Sequence, residues 1–449
     1  MTPVGRAVVP SPDTTGLPVA RAVGLAEPSR ASVDPTQGGR RLTGALPGAL
    51  PVWARGDLLL AVATATAAAG SFLFHALAGR RLEPADYSSL GAVLAVLLAA
   101  AVPLGALQTA VTAGTARARR PGDRLSGRRV LVLAGVGSVL LALATTTVTP
   151  LLAGVLRLPS VAPLVVAVVW LALNGPASVL RGLLLGAGHA AAVAASLVVA
   201  AAVRLVLLVA LTPQAAVVGA VAATAGGELA GGLVVLVAAH RSTLLGRSGG
   251  QSRAVRARPA DARRALGVQV LVWVFAGAGP VLARRALPGA DQGSFTAMAT
   301  TASACLFLPQ AVALASLPRF VADGSARRLG SALAVAATLA AVAAVPLCAL
   351  AGPVFGVLYG DAFRPDRAVL VLLCLQACGL GLLAVLAQFA VARGRGTGLA
   401  VPFGLVAAVV LAETAVSTPV ALAAVLAVTI WPAVALSAAR VLHRPGGSA

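Results

Sequence analysis

The sequence predicts an all-α polytopic membrane protein of about twelve spanning helices. Three observations carry that expectation. About a dozen apolar runs fill residues 57–440, and arginine clusters mark every second gap between them. Apolar residues make up 59% of the 449-residue chain against 11% charged, which leaves little for a soluble core. A helix rises about 1.5 Å per residue, so about 20 apolar residues cross a hydrocarbon layer of roughly 30 Å.

Residues 1–55 come first. They are rich in Pro, Gly, Ser, Thr and Arg and read as a disordered basic tail without the early apolar core of a cleavable signal. Six spans follow, at roughly 57–79, 87–113, 130–155, 161–185, 189–211 and 214–239. A basic linker, 240–264, separates them from six more, at roughly 265–287, 292–316, 329–357, 367–391, 398–416 and 418–438. Residues 56–239 and 265–440 are thus read as two six-helix halves, with 441–449 as a short tail.

The loops test this count. With the N-terminus in the cytoplasm, the loop after the second span holds Arg117, Arg119, Arg120, Arg124, Arg128 and Arg129 on that side. The linker holds Arg241, Arg247, Arg253, Arg256, Arg258, Arg263 and Arg264. Arg319, Arg327, Arg328, Arg393 and Arg395 continue the series, while Glu83, Asp86, Asp291, Asp361 and Asp366 lie in the outer loops. This bias places both termini in the cytoplasm, and one missed span would invert every later loop. The net charge of +21 would otherwise suggest nucleic acid, but its confinement to short loops argues against that partner. The outer loops are too short to carry the groups of an extracellular polymerase or ligase.

The first outer loop reads Arg80-Arg81-Leu82-Glu83-Pro84-Ala85-Asp86. The loop after the seventh span reads Arg284-Arg285-Ala286-Leu287-Pro288-Gly289-Ala290-Asp291, at an offset of 284 − 80 = 204 residues with one insertion after the proline. Both copies fall on one side of the membrane, so the two halves are parallel repeats rather than inverted ones.

Four stretches carry a family resemblance: Ala78 to Tyr87; Val179-Leu180-Arg181-Gly182-Leu183-Leu184-Leu185-Gly186-Ala187-Gly188; Phe307-Leu308-Pro309-Gln310 with Leu317-Pro318-Arg319; and Leu358-Tyr359-Gly360-Asp361-Ala362-Phe363 with Ala392-Arg393-Gly394-Arg395. The pattern resembles the multidrug/oligosaccharidyl-lipid/polysaccharide (MOP) exporter superfamily, and within it the bacterial polysaccharide-biosynthesis branch. The resemblance implies a flippase for a lipid-linked oligosaccharide, with a polyprenyl-pyrophosphate-linked sugar as cargo, membrane lipids around it and glycosyltransferases as associates. The sequence departs from relatives that place an acid in the seventh helix, since that region reads Gly277-Ala278-Gly279-Pro280.

A charge at the centre of a spanning helix costs roughly 2.5–3.5 kcal/mol on insertion scales, so each one calls for a reason. Arg204 lies about 15 residues into its span, roughly 20 Å from its cytoplasmic end. It either faces a central cavity, where guanidinium would meet pyrophosphate, or snorkels or pairs with an acid. Arg181 sits near the cytoplasmic end of its span, and a structural Arg181–Glu228 pair follows if the fourth and sixth helices touch. Glu413 is the coupling-ion candidate, against a plain interfacial acid. Gln108, Asn174 and Gln310 either glue helices or reach sugar hydroxyls. His75 alone makes neither a metal site nor a relay, and Cys305, Cys348, Cys374 and Cys378 lack metal or redox spacing.

No enzyme, cofactor or metal is expected. The chain holds no lysine, so a phosphate-binding loop for ATP is excluded and energy must come from a gradient, the membrane potential or downhill cargo use. Two other classes stay open: a cation-coupled multidrug antiporter of the same superfamily, and a non-transporting scaffold for glycosyltransferases.

Overall fold

The computed structural model describes residues 52–117, 127–242, 244–245, 259–322, 325–393 and 416–443. Their regular structure is entirely helical. The first half holds α1 (Val52–Arg81), α2 (Pro84–Arg117), α3 (Gly127–Val155), α4 (Ala162–Gly186) and α5 (Ala190–Arg241). The second half holds α6 (Pro259–Ala286), α7 (Gly289–Ala322), α8 (Ala326–Ala349), α9 (Ala351–Tyr359), α10 (Arg367–Ala392) and α11 (Pro419–His443). Nine helices among the described residues are long and apolar enough to cross a membrane.

At 52 residues α5 is far too long for one crossing. It reverses at Ala216, whose φ of 41° and ψ of −119° are not helical, just after Pro213. Residues 190–215 and 217–241 therefore form two antiparallel arms, as the two expected spans require. Glycines on the return arm bring the arms together. A Cβ at Gly227 would lie 2.6 Å from the Ala200 carbonyl oxygen and 2.8 Å from the Arg204 Cβ. A Cβ at Gly231 would lie 2.8 Å from the Ser196 carbonyl oxygen. Without a solvent-driven hydrophobic force between helices in lipid, such small-residue contacts are what let helices associate.

With α5 counted twice and α8–α9 once, helices cover eleven of the twelve expected spans, α6 being the one that is not among those nine. The remaining one, 398–416, lies outside the described residues apart from its last position. The basic tail 1–55 is described only from Val52, where α1 begins, and the 240–264 linker is helical from Pro259. One expected span is broken. Residues 329–357 divide at Leu350 into α8 and α9. Pro353 offers no N–H to the carbonyl of Ala349 and its ring opposes that carbonyl, so α8 ends there.

Helix boundaries repeat in parallel. α2 begins at 84 and α7 at 289, α4 at 162 and α10 at 367, both offsets being 205. The 204-residue echo plus its single insertion gives that same register. Repeat partners also share their environments on the outside of the bundle. The apolar window of α3 is 17% buried and that of α8 11%, against 72% for α10, so α3 and α8 face lipid while α10 fills the centre. The halves meet mainly where α2 packs on α6 and α7 and where α1 packs on α9.

Side chains at the helix ends replace the missing intrahelical partners. Asp366 Oδ1 accepts from the backbone N–H of Ala368 at 2.8 Å and opens α10. Ser325 accepts from Arg328 N–H and opens α8. α4 closes on Gly188 at φ 86°, with His189 N–H donating to Leu184 five residues back. α3 closes by the same bond pattern, Leu158 N–H to Ala153 and Arg157 N–H to Gly154, but there the left-handed residue is Arg157 at φ 49°.

Candidate functional site

A cavity of about 320 Å³ lies between the two halves. The first half lines it with Ser71, Phe72 and His75 of α1, Leu94, Leu97 and Leu98 of α2, Trp170 of α4, and Arg204 and Thr224 of the two α5 arms. The second half supplies Trp273 and Ala276 of α6 and Thr300, Ser303, Leu306 and Phe307 of α7.

Arg204 is the formally charged residue of this lining, and no carboxylate joins it among the described residues. Its guanidinium carbon stands 3.7 Å from the centroid of the fully buried Phe74 ring. Phe74 is thus a stacking platform that holds the guanidinium plane. The Nε atom is buried and makes no hydrogen bond among the described residues. Arg204 lines the cavity, and no acid among the described residues pairs with it. The hairpin explains the position, because Gly227 lets the return arm close against the backbone that carries Arg204.

His75 shares the cavity. Its Nδ1 and the Tyr87 hydroxyl are 3.3 Å apart, leaving Nε2 for other partners. The ring meets Phe74 and Tyr87 edge-on, with centroids at 5.5 Å and 6.2 Å. A lone histidine in an apolar run carries no signal that raises it above the ordinary. Apart from Phe74 beside it, its polar and ring partner Tyr87 comes from α2, so its setting has little local signature. Trp170 and Trp273 were missed too, although the chain has only four tryptophans. Their scarcity was the available signal.

The other site candidates fall elsewhere. Arg181 Nη1 and Glu228 Oε1 form an ion pair at 2.9 Å between α4 and the return arm of α5, as anticipated. Arg181 Nε also donates to Ser196 Oγ at 3.3 Å. Asn174 accepts from the Ser178 hydroxyl at 3.1 Å. Gln108 is half-buried in α2, where its carbonyl lies 2.7 Å from the point a Cβ on Gly182 would occupy, which marks a tight α2–α4 crossing. Gln310 is half-buried in α7 beside Pro309, which abuts Gly381 of α10. None of these five lines the central cavity. Glu413 lies outside the described residues. Among the cysteines, Cys348 and Cys374 approach at 3.8 Å between sulfurs, a pairing their sequence spacing does not reveal.

The comparisons with known proteins fit this architecture. The lipid II flippase MurJ in an inward closed conformation matches with a TM-score of 0.63 at 12% identity, over 86% of this chain and 88% of the other. A eukaryotic MATE transporter matches at 0.59 and 15% identity, over 88% and 97%. An inward-facing multidrug resistance MATE family transporter of the MOP superfamily matches at 0.55 and 16% identity, over 82% and 94%. The chain is a multi-pass membrane protein with the fold of the MOP superfamily. Neither family models nor curated proteins give a match to the sequence.

Proposed function

We propose that the protein is a transporter of the cytoplasmic membrane that flips a lipid-linked oligosaccharide for cell-surface polysaccharide synthesis. The observation that supports this most is the electrostatics of the cavity. A buried guanidinium with an unengaged Nε faces a space lined by hydroxyls, two indoles and apolar side chains, with no acid beside it among the described residues. At an effective dielectric of about 20, such a charge stabilises a unit anion about 5 Å away by about 3 kcal/mol and opposes a cation equally. The polar part of a polyprenyl-pyrophosphate-linked sugar fits that field. Its phosphates meet Arg204 in bidentate fashion, its sugar meets the indoles and hydroxyls, and its tail stays in lipid. The halves rock about the cavity, with both termini in the cytoplasm and glycosyltransferases as associates on that side.

Deleting the gene should remove surface polysaccharide and build up the lipid-linked precursor on the cytoplasmic leaflet. Intact polysaccharide without precursor accumulation sinks this reading.

The fold supports a cation-coupled multidrug antiporter equally, since MATE transporters share it. The lack of an acid among the described lining residues favours the flippase. Ion-dependent efflux of a cationic dye by the reconstituted protein would reverse that choice. A scaffold without transport predicts instead that Arg204→Ala changes nothing at normal protein level.

A further inference from the structure

Two of the sequence stretches that mark the fold come together beside the cavity, beneath an open cleft lined by Arg80, Arg81 and Tyr359. Tyr87, from the Ala78–Tyr87 stretch, packs edge-on against Tyr359 and Phe363, with centroids at 5.7 Å and 5.5 Å. Tyr87 and Tyr359 are the only tyrosines of the chain and both are fully or almost fully buried. The Tyr359 hydroxyl pairs with Thr301 Oγ1 of α7 at 2.9 Å. A Cβ on Gly79 would run into the Tyr359 ring, so α1 and α9 are in direct contact at this point.

The repeated arginines bind across this seam in a reciprocal way. Arg80, of the first half, donates from Nη2 to the carbonyl of Val357 in α9 of the second half at 2.5 Å. Arg284 stands 204 residues later, in the second half. It donates back to the first half, from Nε to Leu156 at 2.7 Å and from Nη2 to Arg157 at 2.5 Å. Its Nη1 reaches Ser89 Oγ at 2.8 Å and the Ala85 carbonyl at 3.2 Å, both in α2. Both sets of acceptors include carbonyls at helix ends. Val357 lies at the end of α9, and Leu156 and Arg157 lie at the end of α3, the repeat partner of α8–α9. Carbonyls there have lost their intrahelical donors, which makes them strong acceptors. Arg81, next to Arg80, behaves differently. It donates at 2.9 Å to the carbonyl of Val209, four residues before Pro213 and deprived by it of an N–H, within its own half.

We infer that Arg80 and Arg284 are reciprocal latches that hold this end of the protein shut, each half gripping the helix end of the other over an aromatic plug. The inference rests on the reading of the chain as an alternating-access transporter. Opening towards the Arg-Arg face requires the halves to part between α1 and α9 and between α6 and the α3–α4 turn. Every bond that Arg80 and Arg284 make across the seam must then release together, whereas the Arg81 bond travels with its own half. The latches are unequal, because Arg284 is buried with four acceptors in the first half and Arg80 is exposed with one acceptor. Arg284 therefore dominates the closed state.

The test uses the full chain in nanodiscs without cargo, on a background with the four cysteines replaced. Spin labels at Val161→Cys and Arg364→Cys, exposed positions beside the two gripped turns, report the separation of the halves by pulsed electron resonance. Losing a charge-assisted hydrogen bond shifts a two-state ratio by about tenfold or more. Arg284→Gln should raise the long-distance fraction by at least that factor, and Arg80→Gln should raise it less. Arg81→Gln should leave the distribution unchanged. An unaltered distribution in Arg284→Gln, or an equal opening in Arg81→Gln, overturns the latch. If Arg284→Gln does not fold, Arg80→Gln against Arg81→Gln decides alone. Because the distances are read without cargo, failure of the flippase assay leaves this test standing, and failure here leaves the cargo assay standing.

Discussion

Arg181 and Glu228 show what a buried charge does when it is not part of the cavity. The pair lies at 2.9 Å with side chains only 9% and 13% exposed. A buried pair often contributes little net stability, but removing one partner strands the other in a low-dielectric setting at a cost of about 3 kcal/mol or more. Glu228→Gln should therefore lower the thermal unfolding midpoint in detergent, and Arg181→Met with Glu228→Leu should recover most of the loss. A double variant as unstable as the single one would show the helix crossing, not the stranded charge, to be at fault. Arg157 carries a different strain, a left-handed backbone on a residue with a Cβ. The residue that ends α9, Gly360, also has a positive φ, 80°, and is a glycine. Arg157→Gly should stabilise the fold by about 0.5–1 kcal/mol, because glycine adopts that conformation without steric cost and the carbonyl gripped by Arg284 stays in place. Unfolding midpoints would check it. At this scale the sequence was legible where one residue breaks a pattern. Arg204 stands out because an arginine about 20 Å deep needs a reason. His75, Trp170 and Trp273 acquire meaning only from neighbours on other helices, and no local pattern announces them.

Among the elements, α5 is the one that places the site. Its reversal was legible, since Pro213 interrupts an apolar run twice the length of a membrane crossing. The closeness of its arms was not, because glycine is common throughout the chain and only some glycines meet backbone. Gly227 and Gly232 make the contrast on one arm. A Cβ at Gly227 would stand 2.6 Å from a carbonyl oxygen, whereas at Gly232 its nearest neighbour would be the Ala177 Cβ at an ordinary 3.6 Å. Gly227→Ala should force the arms apart, cost about 1–3 kcal/mol and displace Arg204 from the Phe74 ring, while Gly232→Ala should be neutral or slightly stabilising. Thermal unfolding of the two variants separates the cases, and equal behaviour would refute the role given to Gly227. The break at Leu350 escaped the sequence reading for a related reason. Proline is tolerated in membrane helices, and Pro103, Pro150, Pro176, Pro280 and Pro346 all lie inside continuous ones. Composition therefore does not distinguish Pro353, where the helix does stop.

For the whole molecule, the parallel repeat was legible from two arginines, a proline and an aspartate recurring in order, and the helix boundaries follow the same register. What the halves do to each other was not, because Arg80 and Val357 are 277 residues apart and their bond leaves no trace in either segment. The cavity is likewise a property of the assembled halves, and its charge distinguishes cargo classes that the shared fold does not. A ligand that binds only the folded state stabilises it by about 2.7 kcal/mol at a hundredfold excess over its dissociation constant. A polyprenyl pyrophosphate bearing a sugar should therefore raise the unfolding midpoint of the purified protein, and a lipophilic cation should not. Arg204→Ala should abolish the shift, whereas Arg204→Lys should keep part of it, since an ammonium retains the charge but not the bidentate geometry. Polyprenyl alcohol supplies the needed control, because stabilisation by the tail alone would place binding in the lipid-facing grooves and away from Arg204. A shift with the cation that survives Arg204→Ala would instead assign the cavity to cationic cargo and move the protein to the antiporter class.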